Sequence, residues 1–307
     1  MKTVASIDIG TNTILLLVAR VDQGKVEPLF DTETIVRLGE GVHKNGLLSP
    51  EAMERGFRTL AHYLERCKNM EAQNIFAVGT SALREARNSD QFLKMIRERL
   101  SLSIEIISGE EEARLSYLAV ARDFKELKGS ALVIDVGGGS TEFIEGKIGH
   151  IVRAISLPLG AVRLTEQFLL SDPVREEEWD KMEERIEELL VLIPHPRESF
   201  SMVAVGGTAT TLASVDQGLT EFIPEKIHRF ALQQESLRNQ LHLYRSKTID
   251  DRKKIPGLSP PRADVILAGG AILYRTMTEL KCPSVSISCH GLRYGLLYDR
   301  VALNFGF

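Results

Sequence analysis

The sequence has few cysteines and no long apolar run. Its three cysteines, Cys67, Cys282 and Cys289, form no CxxC pair and no spacing typical of metal ligands, so we expect a reduced, cytosolic (cytoplasmic) protein. The longest clean apolar run, Ile14–Ala19, is far too short to cross a bilayer, so we expect no membrane partner. No extended apolar segment follows Lys2, and we therefore expect no secretory signal.

An excess of positive charge is absent as well. The 307 residues carry a formal net charge of −4, which argues against a nucleic-acid partner. An anionic ligand must therefore be held by a local site and not by the mean field of the protein. The 43% of hydrophobic and 26% of charged residues are typical of a globular protein long enough for two domains.

Hydrophobic periodicity predicts one order of elements twice. The first half is predicted to form three strands, then helix, strand, helix, strand and helix, with a turn at residues 22–25. The second half begins again with strands over ALVIDVG, TEFIEGK and HIVRAISLPLG, and continues with helical sequence over much of residues 161–194. Later strands are predicted over SMVAVGG and SVSISC. We therefore predict a duplicated α/β fold, with domains at residues 1–122 and 123–307, a cleft between them, and a last helix that is free to pack back on the first domain.

Two similar glycine turns mark the start of the two halves, in IDIGTNT and IDVGGGS. Their alignment pairs three positions: Asp8 with Asp135, Gly10 with Gly137 and Thr13 with Ser140. Glycine is costly inside regular structure, but a glycine turn between strands presents backbone N–H groups that bind anionic oxygens. We therefore predict phosphate binding at both turns and at a third, VGGTATT; an ordinary hairpin turn and a helix-packing turn are the alternatives. The predicted phosphate-binding residues are Gly10, Thr11, Asn12, Thr13, Gly137, Gly138, Gly139, Ser140, Thr141, Gly206, Gly207 and Thr208.

Carboxylates beside the glycine turns indicate a metal ion. Asp8, Asp135 and Glu142 would repel a phosphate unless a divalent cation lay between them. Mg²⁺ binds in this way, through one or two carboxylates, waters and substrate phosphates. We therefore predict that these three residues hold Mg²⁺ or Mn²⁺.

Six segments together resemble the exopolyphosphatase / guanosine pentaphosphate phosphohydrolase (Ppx/GppA) family: SIDIGTNT, GTSALREARN, EIISGEEEARL, VIDVGGGSTEF, AVGGTATTLA and HGLRYGLL. The similarity runs from Thr3 to about Leu297, and the length resembles that of the short, two-domain members. The resemblance implies a duplicated actin-like ATPase (ribonuclease H-like) fold. It also implies Mg²⁺-assisted hydrolysis of the terminal phosphate of polyphosphate, of guanosine pentaphosphate, or of both, and it leaves a homodimer open.

The resemblance implies catalytic roles for three residues. Glu112 lies near a predicted helix start, where Ser108 and Glu111 match a capping box, and is implied to be the general base or the group that orients the attacking water. Glu142 is implied to be a second catalytic carboxylate, and Arg84 an arginine whose planar fork contacts phosphate. From the residues alone, Glu112 could instead favour the helix dipole, Glu142 could be a polar strand residue, and Arg84 could be solvated.

Three positions depart from the family pattern and affect the expected substrate preference. Leu15, Cys289 and Tyr294 stand where Arg or His, Asp and Glu, respectively, are common. His290 has no partner at a suitable spacing and is assigned no role. Two other functions remain open: an ATPase or kinase of the same superfamily, and a non-catalytic alarmone-binding sensor.

A basic, proline-rich segment, RKKIPGLSPPRAD, collects Arg252, Lys253, Lys254 and Arg262. We predict that it forms a positive track for a long polyanion, since the mean field of an acidic protein is repulsive. A solvated loop is the alternative.

Overall fold

The computed structural model describes residues 2–22, 25–125, 129–147 and 150–305. The chain divides into two compact units. Unit 1 runs up to Ala119 and resumes at Leu292, and unit 2 is Val120–Gly291. The turn predicted at residues 22–25 includes residues 23 and 24, which lie outside the described residues.

Unit 1 contains a five-stranded mixed sheet. Its strands are β1 (Lys2–Ile9), β2 (Thr13–Asp22), β3 (Lys25–Ile35), β4 (Asn74–Gly79) and β5 (Glu105–Ile106). Its helices are α1 (Val42–Asn45), α2 (Pro50–Asn69), α3 (Ser81–Glu85), α4 (Ser89–Leu100) and α5 (Gly109–Asp123), the last of which ends in unit 2. The strand order is β3-β2-β1-β4-β5, with β1 to β3 antiparallel and β4 and β5 parallel to their neighbours.

Helix α2 begins at Pro50, directly after the capping residue Ser49. The Ser49 hydroxyl accepts a hydrogen bond from the Ala52 N–H at 3.1 Å, and Pro50 occupies the first turn, where its missing N–H costs nothing. Leu60 and Cys67 are fully buried against the unit 1 core. These two residues are seven positions apart, about two helical turns, so they lie on one face of the helix, which packs against the core.

Unit 2 contains a six-stranded mixed sheet. Its strands are β6 (Ser130–Val136), β7 (Thr141–Lys147), β8 (His150–Leu157), β9 (Phe200–Val205), β10 (Ala231–Gln233) and β11 (Ser284–Ile287). Its helices are α6 (Ala161–Phe168), α7 (Glu176–Leu190), α8 (Gly206–Asp216), α9 (Pro224–Ile227), α10 (Gln234–Arg245), α11 (Ile249–Arg252) and α12 (Ile266–Glu279), with a 3₁₀ turn at Pro260–Arg262. Helix α13 (Leu292–Phe305) belongs to unit 1.

The two sheets share one topology. Reading β8-β7-β6-β9-β11 in unit 2 reproduces the order β3-β2-β1-β4-β5 of unit 1, with the same antiparallel and parallel pairings. Strand β10, which the sequence did not indicate, adds one antiparallel edge strand. The repeated order confirms the predicted duplicated fold of the actin-like ATPase (ribonuclease H-like) class. No helix of the described residues is long and apolar enough to span a membrane.

Candidate phosphate-binding and catalytic residues

In unit 1 the first glycine turn joins β1 to β2. The Gly10 N–H donates to the Thr13 carbonyl at 3.0 Å, which closes the turn directly after Asp8 and Ile9. A Cβ on Gly10 would lie 3.0 Å from that same carbonyl, so glycine permits the tight turn itself. The side chain of Asp8 thus stands at the carboxyl end of β1, the edge of an α/β sheet where ligands usually bind.

Thr11 and Asn12 form the tip of this turn and are nearly buried. Their carbonyl groups are held by the segment after β3, since Gly39 donates to Thr11 and Val36 donates to Asn12, at 2.8 and 2.9 Å. The Thr11 hydroxyl and the Asn12 side-chain oxygen are buried and have no hydrogen-bond partner among the described residues. Buried polar groups without a partner are costly. The Thr11 hydroxyl and the NH2 group of the Asn12 side chain are hydrogen-bond donors, and donors at this turn suit a phosphoryl oxygen.

In unit 2 the triple glycine forms the same turn. The Gly137 N–H donates to the Ser140 carbonyl at 3.0 Å, as in the first copy, and a Cβ on Gly137 would lie 2.9 Å from that carbonyl. Gly160 crosses over this turn so closely that a Cβ there would lie 2.2 Å from the carbonyl oxygen of Gly138. The glycines therefore allow a tight turn and a close passage of the chain over it.

The carbonyl oxygens of the triple glycine all accept hydrogen bonds from the start of α6. Ala161 donates to Gly137 at 2.9 Å, Val162 donates to Gly138 at 2.9 Å, and the Arg163 side chain donates to Gly139 at 2.8 Å. Carbonyl oxygens would repel an anion, so their engagement by α6 favours phosphate binding at this turn.

Asp135 and Glu142 lie directly opposite each other on the antiparallel strands β6 and β7. Directly paired residues project from the same face, and two like charges in that position are destabilising. The Glu142 side chain is fully buried, and its Oε1 atom accepts hydrogen bonds from the hydroxyls of Ser140 and Ser156, at 2.8 and 2.7 Å. Two adjacent carboxylates, one of them buried, suit a divalent cation with oxygen ligands such as Mg²⁺, which would offset their repulsion.

The third glycine turn lies beside Asp135. Gly206 has a φ of +89°, and a Cβ there would lie 2.8 Å from the Asp135 Oδ1 atom. Both the backbone conformation and the lack of space therefore require glycine at this position. A Cβ on Gly207 would lie 2.2 Å from a guanidinium nitrogen of Arg262. The predicted strand over SMVAVGG therefore ends at Val205, and its two glycines open helix α8 between a carboxylate and a buried arginine.

Two predicted phosphate-binding hydroxyls are engaged by the backbone of unit 2. Thr141 donates to the Leu159 carbonyl, and Thr208 donates to the Val136 carbonyl at 3.3 Å. Both residues are buried. These two hydrogen bonds therefore tie the glycine turns to neighbouring backbone.

Arg84 and Glu112 form an ion pair in unit 1. The sequence implies a role for each but predicts no contact between them. Arg84 Nη1 lies 3.1 Å from Glu112 Oε2 and also donates to the Ile107 carbonyl at 2.8 Å. Arg84 lies on α3, just after β4, and Glu112 lies in the first turn of α5, just after β5. Both side chains thus follow strands whose carboxyl ends lie on the same edge of the sheet as Asp8.

The predicted capping box at the start of α5 is half present. The Ser108 hydroxyl accepts a hydrogen bond from the Glu111 N–H at 3.1 Å, as a capping residue does. The Glu111 carboxylate accepts two bonds of 2.7 Å from Arg114, and these bonds hold the pKa of Glu111 below its ordinary value. Glu111 is therefore committed to its own helix, whereas Glu112 is turned toward Arg84.

Two residues were missed by the sequence reasoning. Ser156 lies directly opposite Glu142 in the β7–β8 register, a relation that strand pairing alone could have indicated once the register was known. Arg262 was assigned to a surface track, but it is buried beside Gly207. Nothing in the local sequence indicates that contact, because it joins segments far apart in the chain.

The prediction of a basic surface track over RKKIPGLSPPRAD is wrong for Arg252 and Arg262, which are buried. The Arg252 side chain is 1% exposed, donates to the Tyr244 carbonyl at 2.7 Å, and has its pKa lowered by burial. Lys253 and Lys254 form ion pairs with Asp250 and Asp251, at 2.8 and 2.7 Å. Two of the four cations are buried, and the other two are balanced by carboxylates.

The three departures from the family pattern have distinct surroundings. Leu15 lies directly opposite Asp8 across β1 and β2, so an apolar side chain stands beside that carboxylate. The Tyr294 hydroxyl donates to the Asp31 carboxylate at 2.8 Å. The Cys289 N–H donates to His228 Nδ1 at 3.3 Å.

Two sheets of one topology, each with an aspartate and a glycine turn after its first strand, define a duplicated actin-like fold. The sequence profile of the Ppx/GppA phosphatase family matches residues 17–304. The chain belongs to this family, as its motifs predicted.

Known proteins of this group resemble the chain closely. A bifunctional 3-dehydroquinate synthase/phosphatase from Fusobacterium nucleatum is 38% identical over 281 residues, which is 88% of this chain but 42% of that protein's length. The crystal structure of the Ppx/GppA family member from Aquifex aeolicus superimposes with a TM-score of 0.84 at 33% identity, covering 99% of both chains. The crystal structure of an exopolyphosphatase from Cytophaga hutchinsonii has a TM-score of 0.90 at 26% identity, covering 98% of both chains.

Proposed function

We propose that the protein is a phosphoanhydride hydrolase that removes the terminal phosphate of inorganic polyphosphate, the 5′-terminal phosphate of guanosine pentaphosphate, or both, with water as the nucleophile. The observation that carries the proposal is the direct opposition of Asp135 and Glu142 beside the triple-glycine turn. A pair of like charges in that place is unfavourable for the fold alone and is suited to a phosphate-bound cation. The names of the relatives support the same chemistry.

Mg²⁺, or Mn²⁺, would be held by Asp135 and Glu142, with Asp8 as the corresponding carboxylate of the first copy. When bound, the ion neutralises charge on phosphoryl oxygens. Ser140 and Ser156 hold the Glu142 carboxylate in one orientation. The backbone of the glycine turns positions the phosphates, which is the main requirement of phosphoryl transfer.

Glu112 would accept a proton from the attacking water or orient it. Arg84 makes both of its described bonds through one nitrogen, Nη1, and a guanidinium has five N–H donors. Its remaining donors can therefore bind a phosphoryl oxygen while the Glu112 contact persists. Arg262, beside Gly207, supplies a second buried guanidinium for the phosphate chain.

Phosphate release from polyphosphate, guanosine pentaphosphate and ATP, each with Mg²⁺ and with excess chelator, tests the proposal. We expect metal-dependent release from at least one of the first two substrates and little from ATP. Turnover of ATP alone would instead support an ATPase or kinase. Tight binding of guanosine pentaphosphate without any release would support the alarmone-sensor alternative.

A further inference from the structure

Two histidines and an aspartate of unit 2 form a cluster that the proposed hydrolysis does not use. The candidate ligand atoms of Asp123, His228 and His290 all lie within 4.8 Å of one another, and all three residues are half-buried. Among the described residues this is the one group of histidine, cysteine and acidic side chains with such a spacing. His290, to which the sequence assigned no partner, therefore has two.

The cluster is ordered by contacts on every side. His290 Nδ1 lies 2.5 Å from Asp123 Oδ2, and the rings of His228 and His290 stack with centroids 4.8 Å apart and an interplanar angle of 30°. The Phe124 ring packs against His228, at a centroid distance of 5.4 Å. Arg229 donates to the Asp123 backbone carbonyl.

Imidazole and carboxylate groups are the donors that select transition metals, and Zn²⁺ above all binds through such sets. We propose that Asp123, His228 and His290 bind one Zn²⁺-type transition-metal ion, with a remaining position open to solvent. Bonds of about 2.0–2.1 Å place tetrahedral ligand atoms about 3.3 Å apart, so every pair in the cluster is within about 1.5 Å of that spacing. The Cys289 N–H donates a long hydrogen bond of 3.3 Å to His228 Nδ1.

The ligands lie on the segments that carry the chain into and out of unit 2. Asp123 ends helix α5 shortly after Ala119, the last residue of unit 1, and His290 precedes Gly291, the last residue of unit 2. His228 directly follows α9. A bound ion would tie these three segments of unit 2 together, so its binding must raise thermal stability with increasing metal concentration.

The test uses the full chain without a histidine tag. Co²⁺ is titrated by visible absorption and Zn²⁺ by calorimetry, both in excess Mg²⁺ so that sites with oxygen ligands alone are occupied. We expect one equivalent of Co²⁺ or Zn²⁺, at least tenfold weaker binding in His228→Asn and in His290→Asn, and loss of the Zn²⁺-dependent rise in Tm in both. His195→Asn is the matched control, because His195 Nε2 pairs with Glu279 at 3.3 Å without a second histidine among the described residues.

Unchanged binding in both cluster variants, or an equal loss in the control, would overturn the proposal. Cys289→Ser separates a thiolate ligand from the imidazoles: a cobalt–thiolate band that disappears in this variant would replace the assignment. If His290→Asn does not fold, His228→Asn alone decides. Because all readouts are binding and Tm, the outcome is independent of whether the protein hydrolyses polyphosphate.

Discussion

Arg84 Nη1 and Glu112 Oε2 lie 3.1 Å apart, although 28 positions separate the two residues in the sequence. The glutamate side chain is only 12% exposed and the arginine side chain 27%, so the pair is partly shielded from water and is more than an ordinary surface ion pair. The Ile107 carbonyl fixes the same nitrogen at 2.8 Å. The geometry thus places the Glu112 carboxylate, in a fixed orientation, beside an Arg84 guanidinium that has further N–H donors besides those of Nη1.

Glu112→Gln should lower kcat about a hundredfold or more, the scale of losing a general base, while polyphosphate binding persists. The amide keeps the shape of the side chain but cannot accept a proton. Steady-state phosphate release and a separate binding titration measure the two effects. Glu110→Gln, an exposed change in the same helical turn, is the control. Near-normal turnover in Glu112→Gln would remove Glu112 from the proton-accepting role.

Arg84→Lys should lower kcat/KM about tenfold or more, since lysine keeps the charge but loses the planar fork and a charge-assisted hydrogen bond. Arg87→Lys tests the same exchange nearby, where the arginine donates to the Asn45 carbonyl at 3.1 Å. Substrate-dependence curves for both variants measure the effect. Equal losses in the two would show that the effect is not specific to the Glu112 partner.

The glycine turns were predictable because each is a local pattern. In both copies one N–H and one carbonyl within four residues close the turn, and the element order around it repeats. The third glycine turn was also predicted, but the strand before it was extended by two residues, because the local sequence does not show that Gly206 adopts a positive φ of +89°.

The environment of single charged residues was not predictable in the same way. Arg252 and Lys253 are adjacent in sequence, yet one is buried against backbone carbonyls and the other is paired with Asp250 at the surface. In the sequence both are simply basic residues, and only the tertiary packing decides which of them is buried. Ser156 likewise gains its contact with Glu142 only from the register of two strands.

Ser156→Ala should raise the Mg²⁺ concentration needed for half-maximal activity severalfold, with a smaller effect at saturating metal. The change removes one of two hydroxyls that orient the Glu142 carboxylate, and such supporting groups commonly affect metal affinity about 10–100-fold. Metal titrations at fixed substrate measure the shift. Ser201→Ala, on β9 opposite Ala131, is a matched strand serine. An unchanged metal requirement would contradict a metal-holding role for Glu142.

Tyr294→Phe should destabilise the protein by about 1 kcal/mol near neutral pH, because the Tyr294 hydroxyl donates to Asp31. Burial, and then the Asp31 charge, raise the pKa of Tyr294 above its ordinary value of about 10. A raised folded-state pKa gives stability that is full below about pH 10 and is lost as the pH rises further. Urea unfolding from pH 8 to pH 11 should show the wild-type advantage shrinking above pH 10. An advantage that grows with pH would contradict the assigned direction.

Leu15→Arg should lower KM for polyphosphate severalfold, since position 15 lies opposite Asp8 on the same face of the β1–β2 pair. A cation there can reach a phosphate chain bound at the first glycine turn, as the proposed function requires. Leu15→Gln, which introduces a polar side chain without a charge, is the control and should leave KM near that of the wild type. The gain should shrink with added salt, because charge contacts are screened over about 10 Å at 0.1 M ionic strength. A rise in KM for Leu15→Arg, with Leu15→Gln near the wild type, would contradict the prediction.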